Sequence, residues 1–341
     1  MQRKHLSTVP KQRQSGVALV TAILLVALAT AIAAKLSWDS RVSMRRTETL
    51  LAQEQARLFA LGAEAVAIEV LLDDGNPNAD YYVEEDAEEE WATPPDSPFN
   101  QPVTIGIEDL VLGQMQGWLQ DAHSRLNLNN LVSPASSGQG PDQNAIDQFD
   151  RLFNDLQLDR RILDNIIDWI DNDTVPYRSG AEDGAYTSLE VPFRPANDYF
   201  VSASELRSVR DVDEEVYDTL RDYVTALPPG WCGTGLGTTS VTAVNLNFAS
   251  APVIQALGPS ITESQAEVWV EEAQNTGFKD LGEVSGLPPD VQQGGYAAVN
   301  SSCFELRVLV GIGSSVLSMY SLLDRSASND VITRIRSFGI E

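Results

Sequence analysis

The chain has 341 residues, 43% hydrophobic and 21% charged, values that suit a folded protein of more than one unit and exclude disorder as its main state. With 23 Lys and Arg against 49 Asp and Glu, its net charge of −26 repels phosphate backbones and anionic lipid surfaces. Nucleic acid is therefore not an expected partner, and cations are better ones.

Residues 1–16 contain Arg3, Lys4, Lys11 and Arg13 and no acid, whereas residues 17–34 (VALVTAILLVALATAIAA) contain no charge. A basic flank before an apolar run of about 27 Å, at about 1.5 Å per residue, predicts a helix that crosses a bilayer. Helix formers continue it through Glu69, with Leu50, Leu51, Phe59, Leu61, Val66, Ile68, Val70 and Leu71 expected on one apolar face. Asp73-Asp74-Gly75-Asn76-Pro77 should end it. A secretory signal cut near the small residues Ala31 to Ala34 is one reading; cleavage ahead of the apolar core, between Gly16 and Val17, is the other.

A short basic leader ending in Gly and followed by an unbroken apolar helix resembles the class III signal of type IV pilins and pseudopilins. The resemblance implies that a prepilin peptidase cuts after Gly16 and methylates the new terminus at Val17. Residues 17–34 would stay as the membrane anchor and later enter the filament core. Most of the family carry Glu at the fifth mature position, where it neutralises the terminal ammonium of a neighbouring subunit; here that position is Thr21. A buried charge without its partner is costly, so a subunit lacking the carboxylate cannot satisfy the amine of the subunit above it and suits a filament end. The plainer reading of Thr21 is an ordinary anchor-helix residue.

Farther along, the acidic, Pro-rich stretch Glu84 to Pro98 reads as an exposed loop. Residues 103–120 read as strand, with Val103, Ile105 and Ile107 alternating before Val111 to Leu119. From Asp121 the pattern is mainly helical and holds a weak repeat: Leu126-Asn127-Leu128-Asn129 and Val244-Asn245-Leu246-Asn247 each precede a helical pattern, as an Asn cap would. The second module resembles helix-hairpin-helix or SAM-like modules. Its turn is Gly258-Pro259-Ser260, and residues 243–290 are acidic with one lysine, Lys279, so a structural role is expected. After Cys303, alternation from Phe304 to Val310, a turn at Gly311 to Ser315, then Val316 to Leu323, a turn at Ser326 to Asp330 and Val331 to Phe338 predict three strands.

The densest site chemistry lies in Ile167-Asp168-Trp169-Ile170-Asp171-Asn172-Asp173 and Gly180-Ala181-Glu182-Asp183-Gly184, both placed where helix gives way to loop. Asp171 and Asp173 are spaced like the first two ligands of a calcium loop, which gathers oxygen donors around a hard cation. No Glu stands twelve positions after Asp171, so Glu182 and Asp183 would fold back as a second limb, with Asn197 and Asp198 as further donors. Solvated acids at a helix end are the alternative. Cys232 and Cys303 lack zinc or thioredoxin-type spacing; they read as one disulfide closing about 70 residues, worth roughly 4 kcal/mol, or as two buried thiols. The only histidines are His5 and His123, and no Walker loop or Gly-x-Ser-x-Gly elbow is present, so no enzyme is expected.

The stretch from Ile167 to Val209, IDWIDNDTVPYRSGAEDGAYTSLEVPFRPANDYFVSASELRSV, preceded by RLNLNNL and followed by VTALP, resembles the large K-type minor pseudopilins of type II secretion, the general secretion pathway protein K family. The resemblance implies an α+β fold: a pilin-like helix packed on an antiparallel sheet, with a large helical insertion. The expected divisions are a leader at 1–16, the helix at 17–75, sheet parts at 76–120 and 301–341, and the helical domain at 121–300. It implies calcium in the helical domain, carried over to Asp171, Asp173, Glu182 and Asp183, with Asp168, Asn197 and Asp198 as weaker candidates. It implies the pseudopilus tip, an inner-membrane anchor with a periplasmic head, and as partners I- and J-type minor pseudopilins, the assembly platform and prepilin peptidase. A minor pilin of a type IV pilus or DNA-uptake machine, and a calcium-binding periplasmic domain on a simple anchor, are the competing readings.

Overall fold

The computed structural model describes residues 15–73, 102–107, 110–133, 140–233, 241–326 and 330–339. The basic leader through residue 14, the Glu84 to Pro98 loop and most of the expected turn at Ser326 to Asp330 lie outside the described residues. Helix α1 runs Ser15–Asp73. Strands β1 (Val103–Ile107), β2 (Leu110–Asp121), β3 (Cys303–Ile312), β4 (Ser315–Asp324) and β5 (Ile332–Phe338) form one antiparallel sheet in that order. The fold is α+β, with every described helix other than α1 lying between β2 and β3.

The first compact unit, Met1–Gln55, is described only as helix. Its apolar residues are solvent-exposed: Val17, Leu19, Val20, Ile23, Leu24, Leu25, Val26 and Leu28 are all more than half accessible. An 18-residue window near the N-terminus has a mean hydropathy of 2.7, so the helix is long and apolar enough to cross a membrane.

In the second unit, Ala56–Glu341, the end of α1 buries one stripe: Ala56, Ala60, Glu64, Ala67 and Leu71. That spacing follows the helical repeat, and three alanines let the helix axis lie close to the sheet. The face expected from the large apolar residues is corrected by this. Of that set only Leu71 is buried, Phe59, Leu61, Ile68 and Val70 are half-buried, and Leu50, Leu51 and Val66 are exposed. Size misled, because close packing selects small side chains. Glu64 sits in the stripe and accepts from Ser321 (2.7 Å), Thr333 (2.8 Å) and both arms of the Arg336 guanidinium (2.7 and 2.5 Å), tying α1 to β4 and β5.

The expected turn at Gly311 to Ser315 is tighter in the structure. β3 continues through Ile312, and Gly313, at φ +59°, takes the position in the two-residue hairpin that a type II′ turn reserves for Gly. Gly311 remains in the strand beside Gly113, where a Cβ would lie 2.0 Å from the Gly311 carbonyl oxygen.

The helical region is a duplicated module. In the first copy Leu126-Asn127 pairs in parallel with Val224-Thr225; in the second Val244-Asn245 pairs in parallel with Ala297-Ala298. The first copy carries α2 (Gln143–Asp155), α3 (Arg160–Ile170), α4 (Asp183–Thr187) and α5 (Glu214–Leu220), the second α6 (Ala251–Ala256), α7 (Glu263–Asn275) and α8 (Pro289–Gln293). Asn127 caps the short 3-10 turn Leu128–Leu131 by accepting from the Asn129 N–H at 3.1 Å, whereas α2 is capped by Asp142 and α6 follows Ser250. The second asparagine of each pair is a buried amide clamp. Asn129 accepts from the Phe200 N–H (2.8 Å) and donates to its carbonyl (2.9 Å), and Asn247 does the same to Phe278 (2.7 and 2.9 Å). One continuous core, from Leu126 to Val299, fills both copies.

Candidate metal centre

The two copies differ between their second helix and their clamped phenylalanine. In the second, Phe278 follows the end of α7 almost at once, whereas in the first 29 residues, 171–199, separate α3 from Phe200. The carboxylates lie in this insertion. α3 is capped at its start by Asp159 and buries Ile162, Leu163, Ile166, Ile167 and Ile170, and Asp171 ends it in extended backbone. The Asp173 side chain accepts from the Val175 N–H at 2.7 Å, turning the chain ahead of Pro176. Glu182 occupies the cap position of α4 and makes no capping bond. The second acidic segment thus opens a helix, where the sequence suggested that it closed one.

Asp171, Asp173 and Glu182 converge, each offering one oxygen, with these atoms within 4.8 Å of one another. Asp171 and Glu182 are buried and Asp173 is exposed. Counted with Asp171 as the first residue, Asp173 is third and Glu182 twelfth, which are ligand positions of a twelve-residue calcium loop. This register is the signal that counting twelve onward from Asp171 overlooked. The fifth position, Val175, has no side-chain oxygen, and Pro176 stands where such loops keep Gly; the positive φ falls on Arg178 (+51°).

The other expected ligands are distributed around this cluster. Asp183, first in α4, has its carboxylate 3.5 Å from the Asn197 amide nitrogen and 4.0 Å from Arg194, and it does not join the three. Asp168 is fully buried; one oxygen accepts from the Tyr177 N–H at 2.7 Å and the other has no partner. Gly180 crosses directly over it, where a Cβ would lie 2.1 Å from that oxygen. Asn197 leaves its buried amide oxygen unpartnered, while Asp198 is exposed and accepts from the Tyr199 N–H.

Buried oxygens on Asp168, Asp171, Asn197 and both positions of Glu182 accept no hydrogen bond; in the same stretch Trp169 Nε1 and Tyr199 Oη are also unpartnered. A buried acceptor without a donor is costly, so a set of them calls for a cation. The electrostatics agree. Burial pushes Asp171 up to about 6, with Asp173 adding repulsion, and pushes Glu182 up to about 7, with Asp171, Asp173 and Asp183 contributing. Asp168 rises to about 7 through burial, against the Tyr177 hydrogen bond and with help from Glu182. Carboxylate and amide oxygens on a turn match a hard ion needing six to eight donors. The residues present fit calcium.

The remaining singled-out residues lie elsewhere. Thr21, on the exposed part of α1, donates to the Ala18 carbonyl at 3.0 Å. Gly16 and Val17 are helical. Cys232 and Cys303 form a disulfide with Cα atoms 5.0 Å apart, in a small core with Ala122, Leu227 and Leu322. His123 is buried, with its ring nitrogens 3.1 Å from the Ala243 carbonyl and 3.3 Å from Ser302 Oγ, a tie between β2 and the second module.

Residues 124–229 and 244–300, which contain the two module copies, match family models described as type II secretion system (T2SS), protein K. The type II secretion system protein K of Pectobacterium carotovorum subsp. carotovorum is 30% identical, over 96% of this chain and 98% of that protein. Its counterpart in Pseudomonas aeruginosa is 31% identical, over 96% and 94%. Among solved structures, the GspK-GspI-GspJ complex from the enterotoxigenic Escherichia coli type 2 secretion system contains a chain that matches with a TM-score of 0.67 at 22% identity. The match covers 87% of this chain and 100% of that one, a likeness of fold.

Proposed function

The chain belongs to the type II secretion system protein K family, and from that premise we propose that it is a minor pseudopilin at the pseudopilus tip. In this reading it initiates the filament with other minor pseudopilins and supports protein export across the outer membrane. The observation that carries the reading is α1: an exposed apolar N-terminal segment in the same helix whose last turns lie on an antiparallel sheet. Leu58 and Val66, both about two-thirds accessible on α1, offer apolar surface to neighbouring helices. The solved relative is a complex with GspI and GspJ, which supports I- and J-type subunits as partners here. The chain would be anchored in the inner membrane through residues 17–34, with its head in the periplasm, served by prepilin peptidase and the assembly platform. The role is assembly, not catalysis.

Calcium is the second part of the proposal. Asp171, Asp173 and Glu182 would hold the ion, with the buried, unpartnered oxygens of Asp168 and Asn197 as additional acceptors. Bound there, it supplies positive charge to a cluster that otherwise repels itself, and it pins the insertion to the end of α3.

Mass spectrometry of the mature protein tests the first part. The expected product begins at an N-methylated Val17 and co-purifies with two smaller minor pseudopilins. A chain that keeps Met1, or one cut near Ala34, would rule out pilin-type processing.

A further inference from the structure

Directly after its apolar run, α1 carries Lys35, Trp38, Asp39, Arg41, Arg45 and Arg46. Four basic residues against one acid leave the stretch 35–46 at +3, in a chain whose total is −26. At about 100° per residue, Lys35, Trp38, Arg41, Arg45 and Arg46 fall within an arc of about 140° around the helix. Trp38 is 70% exposed, and the four basic residues are exposed as well. Leu36, Met44 and Leu51 stand on the opposite side and are also exposed, so the segment keeps a separate apolar face for neighbouring helices. Basic residues beside a span ordinarily mark its cytoplasmic end. With the head in the periplasm, as proposed, orientation does not account for these four.

We propose that Lys35, Trp38, Arg41, Arg45 and Arg46 form a collar that binds anionic phospholipid headgroups where α1 leaves the membrane. The inference rests on residues 17–34 being the membrane span and is independent of the calcium reading. Prolonged to Leu36, the span makes about 30 Å of helix, the thickness of a hydrocarbon core. Trp38 then stands about 3 Å beyond the core, in the layer where amphipathic rings collect, and Arg41 about 7–8 Å beyond it. Cα–Cβ bonds of a helix tilt toward its N-terminus, which here is the membrane side, so the arginine side chains lean back toward the phosphates. Arg45 and Arg46, about one turn farther out, act through the ~8 Å over which charge is felt at physiological ionic strength. Over that distance the local positive charge meets the headgroups and the chain total does not.

The test reconstitutes the full chain in vesicles of phosphatidylcholine and phosphatidylglycerol, with one or the other lipid brominated high on its acyl chains at equal mole fraction. Flotation with the vesicles reports the anchor. Fluorescence of the parent less that of Trp38→Phe isolates Trp38 from the other tryptophans. Brominated phosphatidylglycerol should quench Trp38 at least twice as strongly as brominated phosphatidylcholine. Lys35→Gln/Arg41→Gln/Arg45→Gln/Arg46→Gln should bring that ratio to one while the chain still floats. Equal quenching of the parent by the two lipids, quenching by neither, or an unchanged ratio in the floating variant overturns the proposal and leaves the anchor reading standing. A parent that does not float overturns both. Loss of the preference when I- and J-type subunits are added would assign the basic face to their carboxylates and overturn the lipid reading.

Discussion

Three carboxylate oxygens within 4.8 Å, two of the three residues buried, set opposite expectations for the metal-free and the metal-bound protein. Without metal, Asp168, Asp171 and Glu182 are raised to about 7, 6 and 7 from ordinary values of 3.8, 3.8 and 4.5. Between about pH 4 and 7 the folded state therefore holds more protons than the unfolded one, and stability falls as pH rises through that window. Urea titrations in chelator should show this decline, and Glu182→Gln should flatten it. Calcium reverses the sign, because binding requires the deprotonated carboxylates and strengthens as pH rises. At a hundredfold excess over its dissociation constant, calcium should add about 2.7 kcal/mol to the parent. Asp171→Asn and Glu182→Gln should lose most of that gain. An equal rise in thermal midpoint for parent and variants would place the ion elsewhere. The acidic loop was legible in the sequence because its residues are local. The surroundings of Asp183 were not, since one step into α4 its carboxylate lies beside Arg194 and Asn197.

Helix α1 and the sheet are joined by a buried carboxylate that no sequence pattern announced. Glu64 is outside the apolar span of residues 17–34, and its partners lie more than 250 residues away, so only the fold brings them together. Burial alone would raise Glu64, but hydrogen bonds from Arg336, Ser321 and Thr333 outweigh it and hold the carboxyl below its usual value of 4.5. The stability it contributes is present above about pH 4.5 and is lost as pH falls below that, opposite in sign to the metal loop. Breaking a buried pair costs about 3–5 kcal/mol. The Arg336 side chain is 40% exposed and recovers some hydration, so Glu64→Leu should cost roughly 2 kcal/mol. A Glu64→Leu/Arg336→Leu double-mutant cycle in urea should return a coupling of about 1 kcal/mol or more; additive losses would show that the ion pair contributes nothing beyond packing. The strands were readable from alternation and the long helix from composition. The amide clamps were half-readable: the repeat of Leu-Asn-Leu-Asn was visible, yet its purpose depends on Phe200 and Phe278, whose distances along the chain differ between the copies.

For the molecule as a whole, two covalent and positional features carry predictions. The Cys232–Cys303 bridge closes a separation of 71 residues, and its removal as Cys232→Ser/Cys303→Ser should cost about 4 kcal/mol on the chain-entropy model, read as a lower denaturation midpoint. A loss under 1 kcal/mol would mean that native contacts already restrict this loop in the unfolded state. With cleavage after Gly16, as proposed, Thr21→Glu would place a carboxylate at the fifth mature position. If Thr21 sets the terminal place, the variant should enter the filament shaft and secretion should drop, as scored by cross-linking to the major subunit and by exported activity. Finally, the head contains its own internal control. The two module copies hold Phe200 and Phe278 with the same pair of amide hydrogen bonds, and only the first has the acidic insertion between its helix and its clamp. In hydrogen exchange, calcium should slow the Phe200 amide and leave the Phe278 amide at its metal-free rate, so one spectrum reports both the bound and the reference state.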